Sequence, residues 1–171
     1  MSASGSPGVT RTYPHTPGID AVGFIEESTD ANFKEGDCVI VTGYDLGMNT
    51  SGGFGQYIRV PSSWAVMLPS GLSDRDSMCL GTAGLTAGLS IQALDDFNGN
   101  QGFESSSSIV TGSTGGVGSI AVMLLSKLSS SVTAVTGKES EKALLQSLGA
   151  SEVISREELA EISRTPIGKT I

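Results

Sequence analysis

The pattern of hydrophobic and polar positions divides the chain into two parts with different periodicity. Between residues 17 and 69, short apolar runs are separated by turn-forming residues such as Lys34-Glu35-Gly36-Asp37 and Ser51-Gly52-Gly53. The pattern predicts strands over residues 19–25, 38–41, 54–60 and 64–66. This part is therefore expected to form part of a small β-rich barrel or sandwich.

From residue 70 onward the pattern becomes helical. Ser73, with Asp76 three residues later, resembles a capping box. Thr82 is placed to cap a second helix, which would carry Leu85, Leu89 and Ala93 at spacings of four. Residues 96–106 are polar and predict a loop.

The clearest unit begins at residue 108 with a β-prone run, 108–111, followed by a glycine-rich turn. After the turn, apolar residues recur with the period of one helix face: Val117, Ile120, Ala121, Leu124, Leu125 and Leu128. A strand over 132–135, a helix over 141–148 ended by Gly149, and a third strand from residue 153 complete the pattern. This β-α-β-α-β order predicts an α/β fold with a parallel sheet.

The glycine-rich turn has the chemistry of a dinucleotide site. Gly112, Gly115 and Gly118 form G-x-x-G-x-x-G between a strand and a helix. Such glycines allow a sharp turn, a close approach of pyrophosphate to the backbone, and tight packing of the helix on the strand. The same turn could serve only to pack a helix, but its position between a strand and an amphipathic helix favours binding. The predicted contacts are Gly112, Ser113, Thr114, Gly115, Gly116, Val117 and Gly118.

The end of the second strand of this unit indicates which cofactor binds. An NAD site usually has Asp or Glu there to hold the ribose 2′-hydroxyl, but here the sequence is Val135-Thr136-Gly137-Lys138. Thr136 and Lys138 could instead hold a 2′-phosphate, which favours NADPH. In the alternative interpretation, Lys138 is a solvated surface residue and Glu139 binds the ribose.

Charge and composition narrow the class of protein. The net charge of −8 argues against a nucleic-acid partner, although local amide groups can still bind phosphate. Cys38, Cys79 and His15 do not provide the ligand set of a structural zinc site, so no metal is expected. Residues 1–7 lack the features of a signal peptide, and no apolar run approaches the ~20 residues that span a bilayer. A cytoplasmic protein without membrane contact is the expectation.

These motifs together resemble the zinc-independent medium-chain dehydrogenases/reductases, in the acryloyl-CoA reductase and quinone-oxidoreductase-like branch. The similarity runs from about Gly8 to Glu161. The matching segments are Pro14-His15-Thr16-Pro17-Gly18-Ile19-Asp20, Gly36-Asp37-Cys38-Val39, Gly43-Tyr44-Asp45-Leu46-Gly47, Gly52-Gly53-Phe54, Gly81-Thr82-Ala83-Gly84-Leu85-Thr86-Ala87, Thr111 to Gly118, and Ser147-Leu148-Gly149-Ala150.

The resemblance implies part of a GroES-like β-rich domain over residues 1–80 and the first half of a Rossmann domain over residues 81–171. It implies a reductase that transfers hydride from NADPH to an activated C=C bond, in an enoyl thioester such as acryloyl-CoA or in a quinone-like acceptor. By the same resemblance, Thr82 and Thr86 line the nicotinamide side, and Tyr44 and Asp45 lie on a loop near the substrate cleft. His15 and Cys38 are expected to be structural. No catalytic acid is identified, and the parent protein is expected to be a homodimer.

Family members of this kind are about twice as long, so the chain is expected to be a fragment that lacks the opening strands and the C-terminal half. A truncated, non-catalytic nucleotide-binding or interaction fragment is therefore the alternative function. A short-chain dehydrogenase also has a similar glycine turn, but it needs a Tyr-x-x-x-Lys pair downstream. Tyr13, Tyr44 and Tyr57 all precede the turn, which argues against that class.

Overall fold

The computed structural model describes residues 4, 10, 12–129 and 131–164. Residues 1–7, on which the absence of a signal peptide was predicted, lie almost entirely outside this range. The chain divides into two compact units, one ending at Leu85 and one beginning at Thr86. The predicted domain boundary between residues 80 and 81 falls within the same helix as this division, and stays a prediction.

The first unit contains an antiparallel sheet of three strands: β1 (Asp20–Phe24), β2 (Cys38–Thr42) and β3 (Ala65–Met67), in the order β1-β2-β3. The central strand buries Val39 and Val41 on one face, as its alternating pattern predicts. Leu46, in the loop after β2, is fully buried. The β-rich first part is therefore confirmed, with a short 3₁₀ turn, Ser62–Trp64, leading into β3.

The predicted strand over residues 54–60 is wrong. The backbone there forms bends and extended chain without strand pairing, and Phe54 and Tyr57 are about three-quarters exposed. The N–H of Phe54 donates to the carbonyl of Pro17, and that of Gly55 to Gly53. Alternation of apolar and polar residues predicts a face, but a strand also needs a neighbouring backbone to pair with.

Helix α1 spans Asp74–Phe97 and is interrupted at Gly81, which has φ 46° and ψ −149°. Ser73 caps its start, because its hydroxyl accepts the N–H of Asp76 at 3.0 Å. By length and composition α1 is long and apolar enough to cross a membrane, which for a single helix is weak evidence. The break at Gly81 divides it into two pieces that are each shorter than the ~20 residues of a spanning helix.

The second unit has a parallel sheet in the order β4-β5-β6, formed by β4 (Ser107–Thr111), β5 (Ser131–Val135) and β6 (Glu152–Ile154). Helix α2 (Gly116–Leu128) connects β4 to β5, and α3 (Lys142–Ser147) precedes β6. Gly149 ends α3 with φ +106°, as predicted. The predicted β-α-β-α-β order and parallel sheet are confirmed, and a further helix, α4 (Arg156–Arg164), follows β6.

The buried face of α2 differs from the predicted one. The helix buries Gly118, Val122 and Leu125. Of these three, only Leu125 belongs to the predicted face. Three other residues of that face are exposed: Val117, Leu124 and Leu128. Leu124 and Leu128 line a cavity of about 440 Å³ together with Ile91 of α1. Periodicity shows which side chains share a face of the helix, but the packed neighbours decide which of them are covered.

Candidate functional site

The glycine turn connects the end of β4 to the start of α2. Gly112 follows the strand with φ +63°, a conformation that side-chain-bearing residues rarely adopt. The N–H of Gly115 donates to the carbonyl of Gly112 at 2.9 Å, which closes the turn. Gly115 is then the N-cap of α2, whose first helical residue is Gly116.

Gly118 is required by close packing within this turn. A Cβ atom at this position would lie 2.8 Å from the carbonyl carbon of Gly112 and closer still to its oxygen. Both neighbours are backbone atoms, which cannot rotate away as a side chain could. Gly118 is buried, so the first turn of α2 packs directly on the glycine turn. This is the tight contact between helix and strand that the third glycine of such a motif permits.

The amides at the start of α2 are available to an anion. Among the described residues, the N–H groups of Gly116 and Val117 have no hydrogen-bond partner. Gly115, Gly116 and Val117 are all exposed at the surface of the unit. Unpaired N–H groups at a helix start carry the positive end of the helix dipole. The turn therefore has the geometry and polarity to bind a phosphate group.

Ser113 has a structural place in the turn. Its side chain is fully buried, and its hydroxyl donates to the carbonyl of Val110 at 2.6 Å. The same oxygen accepts the N–H of Val135 at 3.0 Å, and the N–H of Ser113 donates to the carbonyl of Val135 at 3.3 Å. Ser113 therefore ties the ends of β4 and β5 together, and its hydroxyl does not face a ligand. Thr114, its neighbour, is half-buried.

Replacing Ser113 with alanine is expected to lower the free energy of unfolding by about 2 kcal/mol, because the buried N–H of Val135 loses its partner. Urea denaturation followed by circular dichroism measures this change. Ser119→Ala is the control, since the Ser119 hydroxyl donates to Gly116 in a solvent-accessible position and its loss should cost almost nothing. Equal stability of the two variants would contradict the structural role given to Ser113.

The end of β5 places the two residues predicted for a 2′-phosphate in different surroundings. Thr136 is buried, its N–H donates to Ile154, and its hydroxyl accepts the N–H of Lys138 at 3.0 Å. Lys138 is exposed and directly precedes the 3₁₀ turn Glu139–Glu141. Thr136 therefore shapes the turn, whereas the charge available to a ligand is that of Lys138.

The sequence analysis did not identify Arg156, which lies beside the turn that follows β5. A Cβ atom at Gly137 would be 3.5 Å from Nε and 3.6 Å from Cζ of Arg156, so the guanidinium group lies over the strand end. Arg156 is the first residue of α4, and a capping box fixes that start. The N–H of Ser155 donates to Glu158 at 2.6 Å, and the N–H of Glu158 to the Ser155 hydroxyl at 3.0 Å. The Ser155 N–H lowers the pKa of the Glu158 carboxyl.

In the first unit, Thr82 follows the break in α1. Its hydroxyl donates to Oδ1 of Asp20 at 2.8 Å, across 62 positions of sequence. Thr86 belongs to the second unit and is exposed, and its carbonyl accepts the hydroxyl of Ser90 at 2.8 Å. Thr82 is thus engaged with a carboxylate, an arrangement that the sequence alone does not reveal.

The remaining residues singled out from the sequence have local structural contacts. Tyr44 has φ 53° and stacks on Trp64, with ring centroids 5.3 Å apart. Asp45 accepts the side-chain amide of Asn49 at 2.8 Å and so shapes the loop. His15 Nε2 is 2.9 Å from the carbonyl of Gly47. Within the described ranges, no three His, Cys, Asp or Glu side chains come together as a metal site would require.

Comparison with known proteins gives the same assignment. The alcohol dehydrogenase GroES-like domain family matches residues 3–70. The chain is 42% identical to "Acrylyl-CoA reductase AcuI" of Ruegeria pomeroyi over 96% of its own length and 49% of the relative's. It is 48% identical to "Putative quinone oxidoreductase YhfP" of Bacillus subtilis, over 88% of this chain and 45% of the relative. The chain thus spans about half the length of the curated relatives it matches.

Two solved structures extend the comparison to the fold. The yhdH oxidoreductase of Salmonella enterica, solved in complex with NADP, superposes with a TM-score of 0.84 at 44% identity, over 90% of this chain and 47% of that one. The yhfP protein of Bacillus subtilis, solved with NAD bound, gives 0.80 at 47% identity, over 88% and 45%. With its GroES-like part and its glycine turn, this chain is similar to the zinc-independent medium-chain dehydrogenases/reductases, and among them to an acrylyl-CoA reductase and a quinone-oxidoreductase-like protein.

Proposed function

We propose that this protein is an NADPH-dependent reductase that adds hydride to an activated C=C bond. The observation that carries the proposal is the open glycine turn at the start of α2, where the amides of Gly116 and Val117 have no partner in the part of the chain that the structure describes. These amides suit the pyrophosphate, and Gly112, Thr114, Gly115 and Gly118 shape the turn around it. Ser113 supports the turn from the buried side, so the proposal gives its side chain no contact with the cofactor.

The choice of NADPH is supported by positive charge at the end of β5. The solved relatives are divided, since one is described with NADP and another with NAD. In this chain the side chains of Lys138 and Arg156 both lie at the turn that follows β5, and both are exposed. A 2′-phosphate would receive two charge-assisted partners there, and Arg156 could bind it through two N–H groups. Thr136 contributes by holding the backbone of Lys138.

The nicotinamide end is assigned to Thr82 and Thr86, as the family resemblance implies. When bound, the cofactor supplies the hydride, and the protein binds and orients it. The acceptor we propose is an enoyl thioester such as acryloyl-CoA, the class in the name of the Ruegeria relative, or a quinone-like compound. Hydride addition to the β-carbon of such an acceptor leaves an enolate, and solvent can supply the proton at the α-carbon.

The test measures binding and turnover separately. NADPH, NADH and adenosine 2′,5′-bisphosphate are titrated against the protein, and NADPH oxidation is followed at 340 nm with acryloyl-CoA and with a small quinone. The proposal expects NADPH to bind more tightly than NADH and to be oxidised with one of the acceptors. Lack of NADPH binding would contradict it.

The same experiment separates a second candidate function, that of a nucleotide-binding or interaction protein without catalysis. In that case the chain binds the nucleotide but does not transfer hydride, and NADPH binding without oxidation is the result that identifies it. We also propose that the parent protein is a homodimer, and sedimentation would test this by measuring its molecular mass. The cytoplasmic location stays a prediction from the sequence.

A further inference from the structure

The side chain of Arg156 lies at the end of β5 without a partner for its charge. A Cβ atom at Gly137 would be in van der Waals contact with it, 3.5 Å from Nε and 3.6 Å from Cζ. Among the described residues, the exposed guanidinium group of Arg156 makes no hydrogen bond or ion pair. An arginine side chain has many rotamers, so without a partner its place is set mainly by the backbone that carries it. The position of the guanidinium group therefore depends on how the start of α4 is fixed.

The start of α4 is tied to the sheet through one residue, Ser155. Strand β6 pairs with β5 up to Ile154, and the carbonyl of Ile154 accepts the N–H of Thr136 at 3.1 Å. The next carbonyl, that of Ser155, accepts the N–H of Leu159 at 3.2 Å, which is a bond of the helix. The chain thus passes from strand to helix at Ser155, and Arg156 is the first residue after this change.

The side chain of Glu158 holds this junction from the helix side. Its carboxylate accepts the N–H of Ser155 at 2.6 Å, and the Ser155 hydroxyl accepts the N–H of Glu158 at 3.0 Å. The two bonds close the first turn of α4, which contains Arg156. A carboxylate is an unfavourable neighbour for an anionic ligand, so any contribution of Glu158 to cofactor binding has to come through these bonds.

We infer that Glu158 is a positioning residue, which holds Arg156 over the end of β5 and thereby raises the affinity for NADPH relative to NADH. This inference rests on the proposed function, because it takes Arg156 to bind the 2′-phosphate. Glu158 does not contact the cofactor in this account and acts through the backbone of Arg156.

Glu158→Ala should weaken NADPH binding roughly 5-fold and change NADH binding less than about 2-fold, the effect of losing one helix cap on the contact to the 2′-phosphate. Without the carboxylate the first turn of α4 frays, and Arg156 spends less time where a 2′-phosphate can meet it. Loss of negative charge alone would have the opposite sign, because it makes the surroundings of an anionic ligand more positive. Fluorescence titration of the reduced nicotinamide ring measures both dissociation constants. Unchanged or tighter NADPH binding would overturn the inference.

Two further variants separate the bond from the charge. Glu158→Gln removes the charge but keeps an oxygen that can accept the Ser155 N–H, and should bind NADPH within about 2-fold of the unmodified protein. Glu157→Ala removes the neighbouring carboxylate, which is exposed and has no hydrogen bond among the described residues, and should also change NADPH affinity less than about 2-fold. A loss in Glu157→Ala as large as in Glu158→Ala, or a loss of NADPH and NADH binding together, would count against positioning and overturn the inference.

A double variant tests whether Glu158 acts through Arg156. Arg156→Ala/Glu158→Ala should bind NADPH no more weakly than Arg156→Ala alone, because the guanidinium group that Glu158 positions is then absent. Additive losses would mean that Glu158 acts on the cofactor by another route, which contradicts the inference.

The outcomes also distinguish this inference from the proposed function. If the unmodified protein does not prefer NADPH to NADH, or if Arg156→Ala leaves NADPH binding unchanged, the proposed contact with the 2′-phosphate fails. If Arg156→Ala weakens NADPH binding but Glu158→Ala does not, only the role of Glu158 is overturned.

Discussion

Gly118→Ala should lower the free energy of unfolding by on the order of 3 kcal/mol, a large effect for a single methyl group. The added Cβ would collide with the carbonyl group of Gly112. Since that group belongs to the closed turn, the clash can be relieved only by moving α2 away from β4. The expected result is a lower urea midpoint in circular dichroism, together with loss of nucleotide binding.

The matched control is Gly88→Ala, another glycine-to-alanine change in a helix. A Cβ atom at Gly88 would meet no atom within 4 Å. Because alanine has a higher helix propensity than glycine, the free energy of unfolding of this variant should rise by roughly 0.5–1 kcal/mol. Opposite signs for the two variants would show that the contact with Gly112, and not glycine content as such, governs stability. A neutral Gly118→Ala would contradict the packing described for the turn.

The double variant Lys138→Ala/Arg156→Ala should weaken NADPH binding roughly 100-fold while changing NADH binding less than about 3-fold. Each side chain offers a charge-assisted partner to a 2′-phosphate, and each such bond corresponds to about a 10-fold change or more in affinity. NADH lacks that phosphate, so only NADPH should lose these contacts. Fluorescence titration of the reduced nicotinamide ring measures both dissociation constants in the same buffer.

Lys127→Ala is the control for the loss of positive charge. Lys127 is an exposed lysine in the last turn of α2, the helix end opposite the glycine turn. Its removal lowers the net charge of the protein by one unit without touching the end of β5. If Lys127→Ala weakened NADPH binding as much as Arg156→Ala does, the effect would come from the net charge of the protein and not from a contact with the 2′-phosphate. If the double variant left both affinities unchanged, Glu139 as a ribose ligand would become the better interpretation.

The parts of the fold that local sequence determines could be predicted. The turn from Gly112 to Gly118 has its signal in adjacent residues, since the glycines, the β-prone run and the amphipathic helix are contiguous. Gly149 ends α3 for a similarly local reason, because its φ of +106° suits glycine. Such features need no knowledge of distant contacts, and the parallel sheet follows from their order.

What could not be predicted depends on contacts between distant residues. The alternation over 54–60 gave no information on whether a neighbouring strand would pair with it. Likewise, nothing near Ser113 indicates that its hydroxyl is buried and bonded to Val135, 22 positions away. The contact between Thr82 and Asp20 spans 62 positions. Side-chain direction in each case is set by tertiary packing.

Arg156 is an intermediate case, because one local signal for it was present. Ser155-x-x-Glu158 is a capping-box pattern that follows the third strand of the unit, and it predicts that Arg156 begins a helix at the end of the sheet. That the guanidinium group would lie over Gly137 required the pairing of β5 with β6. A basic residue at the first position of a helix after a parallel strand is therefore worth considering in similar sequences.

The most direct test of the central claim is an amide-resolved NMR titration of the protein with NADPH. The account predicts that the N–H signals of Gly116 and Val117 are among those that shift most, because the pyrophosphate binds to these amides. Adenosine 2′,5′-bisphosphate should shift the signals of Lys138 and Arg156 as well. Saturable NADPH binding that leaves the amides of Gly116 and Val117 unmoved would contradict the account.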